Sequence, residues 1–242
     1  MHNTPLGSCG ILNVLINPLL FLLEIQPVKE LLILLAAMVT CTSSATAAPD
    51  PAEVLSAPTK IGTQGLVSGK FIYPLEGRQT PECHASTIVS TPTGLVAAWF
   101  GGKHEKNPDV GIWVSRFEDD QWTRPREVVN GVQSDQLRHP CWNPVLFQPA
   151  TGPLLLFYKV GPTPSTWWGM LVTSNDGGKS WTKPTKLGKD PAIGHIVGPV
   201  KHKPIQLSDG SILCPSSSEH NNWRVHFELT KDQGKTWEII GP

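Results

Sequence analysis

Ser174-Asn175-Asp176-Gly177-Gly178-Lys179-Ser180-Trp181 and Thr230-Lys231-Asp232-Gln233-Gly234-Lys235-Thr236-Trp237 share one pattern, Ser/Thr-x-Asp-x-Gly-x-x-Trp. Such a stretch suits a turn between two antiparallel strands. The Asp carboxylate accepts hydrogen bonds from turn amides, Gly supplies a positive φ, and Trp packs beneath. Asp176, Gly178, Trp181, Asp232, Gly234 and Trp237 are therefore assigned structural work, and neither Asp is a catalytic candidate.

Working outward, Ser115-Arg116-Phe117-Glu118-Asp119-Asp120-Gln121-Trp122 keeps the Ser and Trp spacing but loses the Asp and Gly, and reads as a degenerate first copy. Upstream of each turn lies a strand led by glycine: Gly94-Leu95-Val96-Ala97-Ala98-Trp99, Gly152-Pro153-Leu154-Leu155-Leu156-Phe157 and Gly210-Ser211-Ile212-Leu213-Cys214-Pro215. Those glycines are 58 residues apart both times, and the closing tryptophans 59 and 56 apart. Three similar units in succession are the signature of a repeat array. Strand-rich units that each end in a turn favour four-stranded propeller blades, hence an all-β fold.

Composition narrows the function. The chain has 242 residues, 39% hydrophobic content, and 20 basic against 20 acidic residues, so nucleic acid is not an expected partner. Its 23 prolines and 22 glycines suit a loop-rich β protein rather than long helices. Nine tryptophans against two tyrosines is unusual. Trp99, Trp113, Trp142, Trp167, Trp168 and Trp223 lie outside the turn motifs and are left to core packing or ligand stacking.

Near the amino terminus, Lys29 precedes the apolar run Leu31-Leu32-Ile33-Leu34-Leu35-Ala36-Ala37-Met38-Val39, followed by Ala45-Thr46-Ala47-Ala48-Pro49. The charge, short apolar run and small-x-small site form a secretory signal pattern, and the run falls short of the ~20 residues that span a bilayer. The expected organisation is an upstream leader over 1–27, a signal peptide over 28–47 cleaved after Ala47, a linker and closing strand over 48–80, and a propeller domain over 81–242. A secreted or periplasmic protein with no stable membrane span after cleavage follows. Of the cysteines after the signal, Cys83 and Cys141 are also 58 residues apart, which makes a bridge between them plausible and leaves Cys214 over. His84 and His139 flank that pair without a recognised zinc spacing, so no metal and no other cofactor is expected.

The turn motifs are the Asp-box repeats of the sialidase-like propellers, which the chain resembles over about residues 81–242. The segments His84-Ala85-Ser86-Thr87-Ile88-Val89, Ala98-Trp99-Phe100-Gly101-Gly102, Asp109-Val110-Gly111-Ile112-Trp113, Cys141-Trp142-Asn143-Pro144-Val145-Leu146-Phe147 and Trp167-Trp168-Gly169-Met170 are similar to bacterial sialidase-family proteins with a BNR-like domain. The resemblance implies a six-bladed propeller, of which about three blades are present. It also implies an arginine triad on the sugar carboxylate, an Asp acid/base, and a Tyr nucleophile activated by a Glu. A neutral nucleophile avoids repulsion from an anionic substrate. Where the family places its first arginine, this chain reads Cys83-His84-Ala85-Ser86-Thr87, so that arginine is missing. Neither Tyr73 nor Tyr158 lies at the nucleophile's place, and the nucleophile is expected in a missing half.

The family's acid/base Asp lies in the loop before the third strand of the first blade. Here that loop is Gly101-Gly102-Lys103-His104-Glu105-Lys106-Asn107-Pro108-Asp109, which offers Glu105 and Asp109 as catalytic candidates. His84, at the start of the first strand, is a candidate for binding an anionic or hydroxylated sugar. Arg138, His139, Trp142 and Asn143 hold the same place in the second blade. Arg138 suits a bidentate pair with a carboxylate, and Trp142 suits stacking on a pyranose face. Lys201, His202 and Lys203 hold that place in the third blade, where solvated surface is the plainer reading. Trp168, with Trp167, forms a candidate sugar platform, with inter-blade packing as the alternative. Glu219 and Arg224 come from the third blade's equivalent loop. His226 and Glu228 alternate with Val225 and Phe227, giving a polar and an apolar face, and are read as structural.

The reading for the full-length protein is a secreted glycoside hydrolase of sialidase-like type, cleaving a terminal sugar, anionic or neutral, from a glycan, and the present stretch by itself is expected to lack the nucleophile. The alternative is a non-catalytic carbohydrate-binding propeller. Closed propellers have at least about four blades, so three would leave open edges through which copies could self-associate. The segment Lys70-Phe71-Ile72-Tyr73 is expected to be the strand that completes a missing last blade.

Overall fold

The computed structural model describes residues 69–188, 196–219 and 223–241. The leader, the signal peptide and most of the linker lie outside the described residues. All regular structure among the described residues is β, in three successive antiparallel sheets joined by a small hairpin.

The first blade comprises β1 (Glu82–Thr91), β2 (Gly94–Gly102), β3 (Gly111–Glu118), the short β4 (Gln121–Trp122) and β5 (Arg126–Val129), with both β4 and β5 paired to β3. A hairpin of β6 (Val132–Ser134) and β7 (Leu137–Arg138) leads to the second blade. That blade is β8 (Cys141–Phe147), β9 (Leu154–Val160), β10 (Trp168–Ser174) and β11 (Thr185–Lys186). The third is β12 (Ile205–Gln206), β13 (Ile212–Ser218), β14 (Arg224–Thr230) and β15 (Glu238–Ile240). Each is an up-and-down meander, the arrangement of a propeller blade.

The repeated residues explain why the blades form. Gly94, Gly152 and Gly210 have φ of 126°, 105° and 86°, values that side chains with a Cβ rarely adopt, at the turn from the first strand to the second. In the second Asp-box, the Asp232 carboxylate accepts from the Lys235 amide at 3.0 Å, the Thr236 amide at 2.8 Å and the Thr236 hydroxyl at 2.7 Å. Trp237 packs under that turn and donates to the Gly234 carbonyl at 3.0 Å. Asp176 plays the same part, accepting from the Ser180 amide at 2.9 Å and the Ser174 hydroxyl at 2.7 Å. In the degenerate copy the Asp-box is replaced by a two-residue hairpin, Asp119 and Asp120, both at positive φ, the backbone of a type I′ turn.

Two apolar layers hold the blades together. Val96, Phe100 and Ile112 of the first blade pack against Leu146, Leu156 and Tyr158 of the second. Leu155 and Phe157 pack against Ile212, Cys214 and Trp237 of the third. Fully burying a side chain of this size contributes about 1.5–3 kcal/mol, so inter-blade contact is the main source of cohesion.

Two expectations are corrected here, and the orientation of one strand is resolved. Cys83 is an exposed thiol and Cys141 a buried one, so they form no bridge: Cys83 instead accepts a hydrogen bond from the Tyr73 hydroxyl at 3.3 Å. Residues 70–73 are not a strand. The Tyr73 ring lies 5.4 Å from Trp99 and the Lys70 ammonium 5.8 Å from the Phe117 ring, so the segment covers a face of the first blade instead of extending a sheet edge. Finally, β14 turns its polar face inward: His226 and Glu228 are buried, while Val225 and Phe227 are exposed.

Candidate functional site

In the first and second blades the first strand begins beside the loop joining the second and third strands, because Glu82 pairs with Gly102 and Cys141 with Val160. Both features therefore gather at one end of the blades, the mouth. Two irregularities mark that end. β1 is bulged between His84 and Thr87, with Ala85 at φ 51°, and β8 is bulged between Trp142 and Val145, with Asn143 at φ 38°. A bulge with a non-glycine residue at positive φ re-aims side chains at some cost, and such features cluster at functional sites. The two are 58 residues apart, the blade repeat.

At the first bulge, His84 Nδ1 lies 3.4 Å from Glu105 Oε2, so a strand start and a mouth loop supply one imidazole–carboxylate pair. Both side chains face solvent, 67% and 47% exposed, which leaves them available to a ligand. Asp109 sits at the far end of the loop, where its two oxygens lie 3.1 and 3.3 Å from the Lys103 amide nitrogen. That bond closes the loop on itself and holds Glu105 at its crest. The loop is tightened further by the His104–Asn107 side-chain bond at 3.2 Å and by Lys106 at φ 73°.

Beneath the pair runs a row of edge-on rings: His84 to Phe100 at 5.5 Å, Phe100 to Trp142 at 6.3 Å and Trp142 to Trp167 at 5.8 Å. Trp142 is 2% exposed and donates to the Gly161 carbonyl at 2.8 Å, so it is the floor of the mouth and offers no open face for a sugar. Trp167 is equally buried, in the contact with Val197. Trp168 is half-buried, with His139 edge-on at 5.7 Å and the Lys186 ammonium 5.0 Å above its ring.

Arg138 is spent on the blade junction. Its Nη2 donates to the Asp109 carbonyl at 2.7 Å and to Glu127 Oε1 at 3.1 Å, while its buried Nε has no partner among the described residues. It therefore braces the loop that carries Glu105 and Asp109. Arg224 is exposed at the start of β14, and Glu219 lies in the loop before it, of which residues 220–222 are outside the described residues.

A polar cluster lies between the second and third blades, where His226 and Glu228 do the structural work read from the sequence and Lys159 and Lys203 join them unforeseen. Glu228 is fully buried. It accepts from the Val197 amide at 3.1 Å, the Gly198 amide at 2.6 Å, the Ser216 hydroxyl at 3.2 Å, and pairs with His226 Nε2 at 3.1 Å. Lys159, also fully buried, donates to the Pro199 carbonyl. Burial pulls Lys159 below the usual lysine range, with the Glu228 charge opposing, and the Glu228 hydrogen bond pushes His226 up against the effect of burial. These groups clamp residues 197–199, the approach to the third blade's first strand. Lys203 then reaches across the axis, donating to the Leu146 carbonyl at 3.1 Å and to Thr87 Oγ1 at 3.5 Å, and burial lowers its pKa. Thr87 Oγ1 in turn accepts the Leu146 amide at 3.3 Å, so one residue from each blade meets at the inner strands. Their only sequence signal is polar residues at strand positions that face a neighbouring blade.

Tyr158 is fully buried and burial raises its pKa, which makes it no nucleophile in this fold.

Blades of this topology, Asp-box turns and a polar pair at the mouth define a sialidase-like β-propeller. Residues 93–242 match the model of the BNR repeat-like domain, and the chain belongs to that family. Among solved structures it is similar to the Hadza microbial sialidase Hz136, with a TM-score of 0.57 and 20% identity, covering 67% of this chain and 38% of that one. It is also similar to the NanB sialidase from Streptococcus pneumoniae, with a TM-score of 0.53 and 10% identity, covering 70% and 45%. A third is a protein of unknown function from Dyadobacter fermentans DSM 18053, with a TM-score of 0.51 and 17% identity, covering 65% and 53%. The chain thus spans about two fifths to one half of the length of these relatives in fold. Comparison with curated proteins finds none that matches.

Proposed function

We propose that this protein is a secreted glycosidase of the sialidase-like type that removes a terminal sugar from a glycan at the mouth of its propeller. The observation that carries the reading is the 3.4 Å contact between His84 and Glu105, held open to solvent above an aromatic floor. Glu105, beside His84, delivers a proton to the leaving glycosidic oxygen while a water molecule adds to the anomeric carbon, and the proton that water gives up returns to the pair. Asp109 acts on this reading by fixing the loop through the Lys103 amide, with Arg138 behind it. His84, Asn143 and Trp168 supply polar and aromatic contacts to the sugar. The fold of sialidases and the secretory pattern of residues 28–47 support the assignment to extracellular glycans.

The test is to incubate the protein with mixed glycans and identify released products by mass spectrometry. Release of single terminal residues supports the proposal. Retention of glycans on the protein with no product favours the carbohydrate-binding alternative, which the missing first arginine also favours.

A further inference from the structure

A cavity lies away from the His84–Glu105 pair, where the outer strand of the second blade meets the Asp-box turn of the third. Its volume is about 370 Å³, within the ~300–1,000 Å³ range of small-molecule sites. Leu171 and Pro153 give it aliphatic walls, Thr185 adds a hydroxyl, and Lys183, Lys186 and Lys235 stand around it.

Three lysines converge on this one concavity, whereas the ion-paired Arg116, Lys179 and Arg138 lie elsewhere, against Glu118 and Glu127. None of the three cavity lysines has a carboxylate partner among the described residues. The one carboxylate on the wall, Asp232, is consumed by its own turn, accepting from Thr230, Lys235 and Thr236. The result is a concave site that, among the described residues, sets three lysines against the single carboxylate of Asp232.

We propose that this cavity is a second carbohydrate site, separate from the mouth, that takes an anionic saccharide. Aliphatic walls accept the C–H face of a sugar ring, threonine hydroxyls exchange hydrogen bonds with its hydroxyls, and lysines hold its carboxylate or sulfate as point charges. No aromatic ring lines the cavity, so a nucleotide base would find nothing to stack on. The inference does not depend on the proposed hydrolysis: the cavity meets the mouth only where the Lys186 ammonium lies 5.0 Å over the Trp168 ring, and the His84→Ala variant below separates the two places.

The test uses tetragalacturonate as the anionic probe and maltotetraose as its neutral counterpart, titrated calorimetrically into the full chain at low salt. Tetragalacturonate is expected to bind, and Lys183→Ala/Lys186→Ala/Lys235→Ala to weaken it by about tenfold or more, with the interaction fading as salt rises. A control variant, Lys103→Ala/Lys106→Ala/Lys201→Ala, and the mouth variant His84→Ala are expected to leave it unchanged. Equal loss in the control variant would mean diffuse surface charge and overturn the site. Loss in His84→Ala would place the probe at the mouth, and equal binding of maltotetraose would remove the role of charge; either result overturns the proposal, as does undiminished binding in the triple variant. Thermal unfolding of the triple variant separates lost binding from lost folding.

Discussion

Glu228 Oε2 accepts a hydrogen bond from the Gly198 amide at 2.6 Å, which ties the third strand of one blade to the segment that leads into its first. The same carboxylate serves Val197, Ser216 and His226, whereas among the described residues Lys159 across the interface donates to the Pro199 carbonyl alone. The two charges are therefore unequal in consequence. Glu228→Ala strands four donors and is expected to cost about 3–5 kcal/mol, the range for breaking a buried charged pair. Lys159→Met leaves Glu228 fully bonded and is expected to cost about half as much or less. Urea unfolding of both variants checks the ranking.

His226 makes stability depend on pH. Its pKa is raised by the Glu228 hydrogen bond, with burial opposing. A raised folded-state value means the fold favours the protonated ring. Its contribution is complete below the unfolded value of about 6.5 and is lost as pH rises through the folded value. The Tm of the unmodified protein is expected to fall from pH 6 to pH 8 relative to His226→Gln. Parallel profiles would remove His226 from the account.

The Asp-box makes the opposite prediction. Hydrogen bonds from Ser180 and Ser174 hold Asp176 well below the usual carboxylate range. A depressed value stabilises above the unfolded pKa of about 3.8 and is lost as pH falls through the folded one. Asp176→Asn is therefore expected to lower Tm at neutral pH, with the gap to the unmodified protein closing in acid. Thermal scans at neutral and acidic pH read it out.

Lys203→Met removes the donor that satisfies the Leu146 carbonyl at the inner strands. An unsatisfied buried carbonyl costs about 1–3 kcal/mol. Amide hydrogen exchange is expected to speed up in residues 87–91 and 145–147, on the two strands that Lys203 joins, more than in the outer strands. Uniform change would deny Lys203 an axial role.

How much of this was legible in the sequence follows from how local the chemistry is. Gly94, Gly152 and Gly210 reveal the blades because a turn at positive φ is decided within a few residues, and the Asp-box needs only eight. The pairing of His84 with Glu105 was legible as two candidates at one end of a blade, but not as a contact. Trp142 misled because its indole reads the same on a floor as on a platform, and only the Gly161 carbonyl and the Trp167 ring decide. β14 was legible only as two faces, one polar and one apolar. Alternation identifies two faces, but which one turns inward depends on Lys159 and the amides of residues 197 and 198, brought there by a neighbouring blade.

The measurement that tests the central claim most directly is the turnover of a panel of unactivated alkyl glycosides, whose alkoxide leaving groups need a proton, by the unmodified protein and by Glu105→Gln, followed as released sugar. The account predicts that one glycoside is hydrolysed and that the variant loses about a hundredfold or more in kcat, the range for removing a general acid, with KM little changed. Equal rates in the two proteins would contradict it, because the proton would then come from a group other than the His84–Glu105 pair.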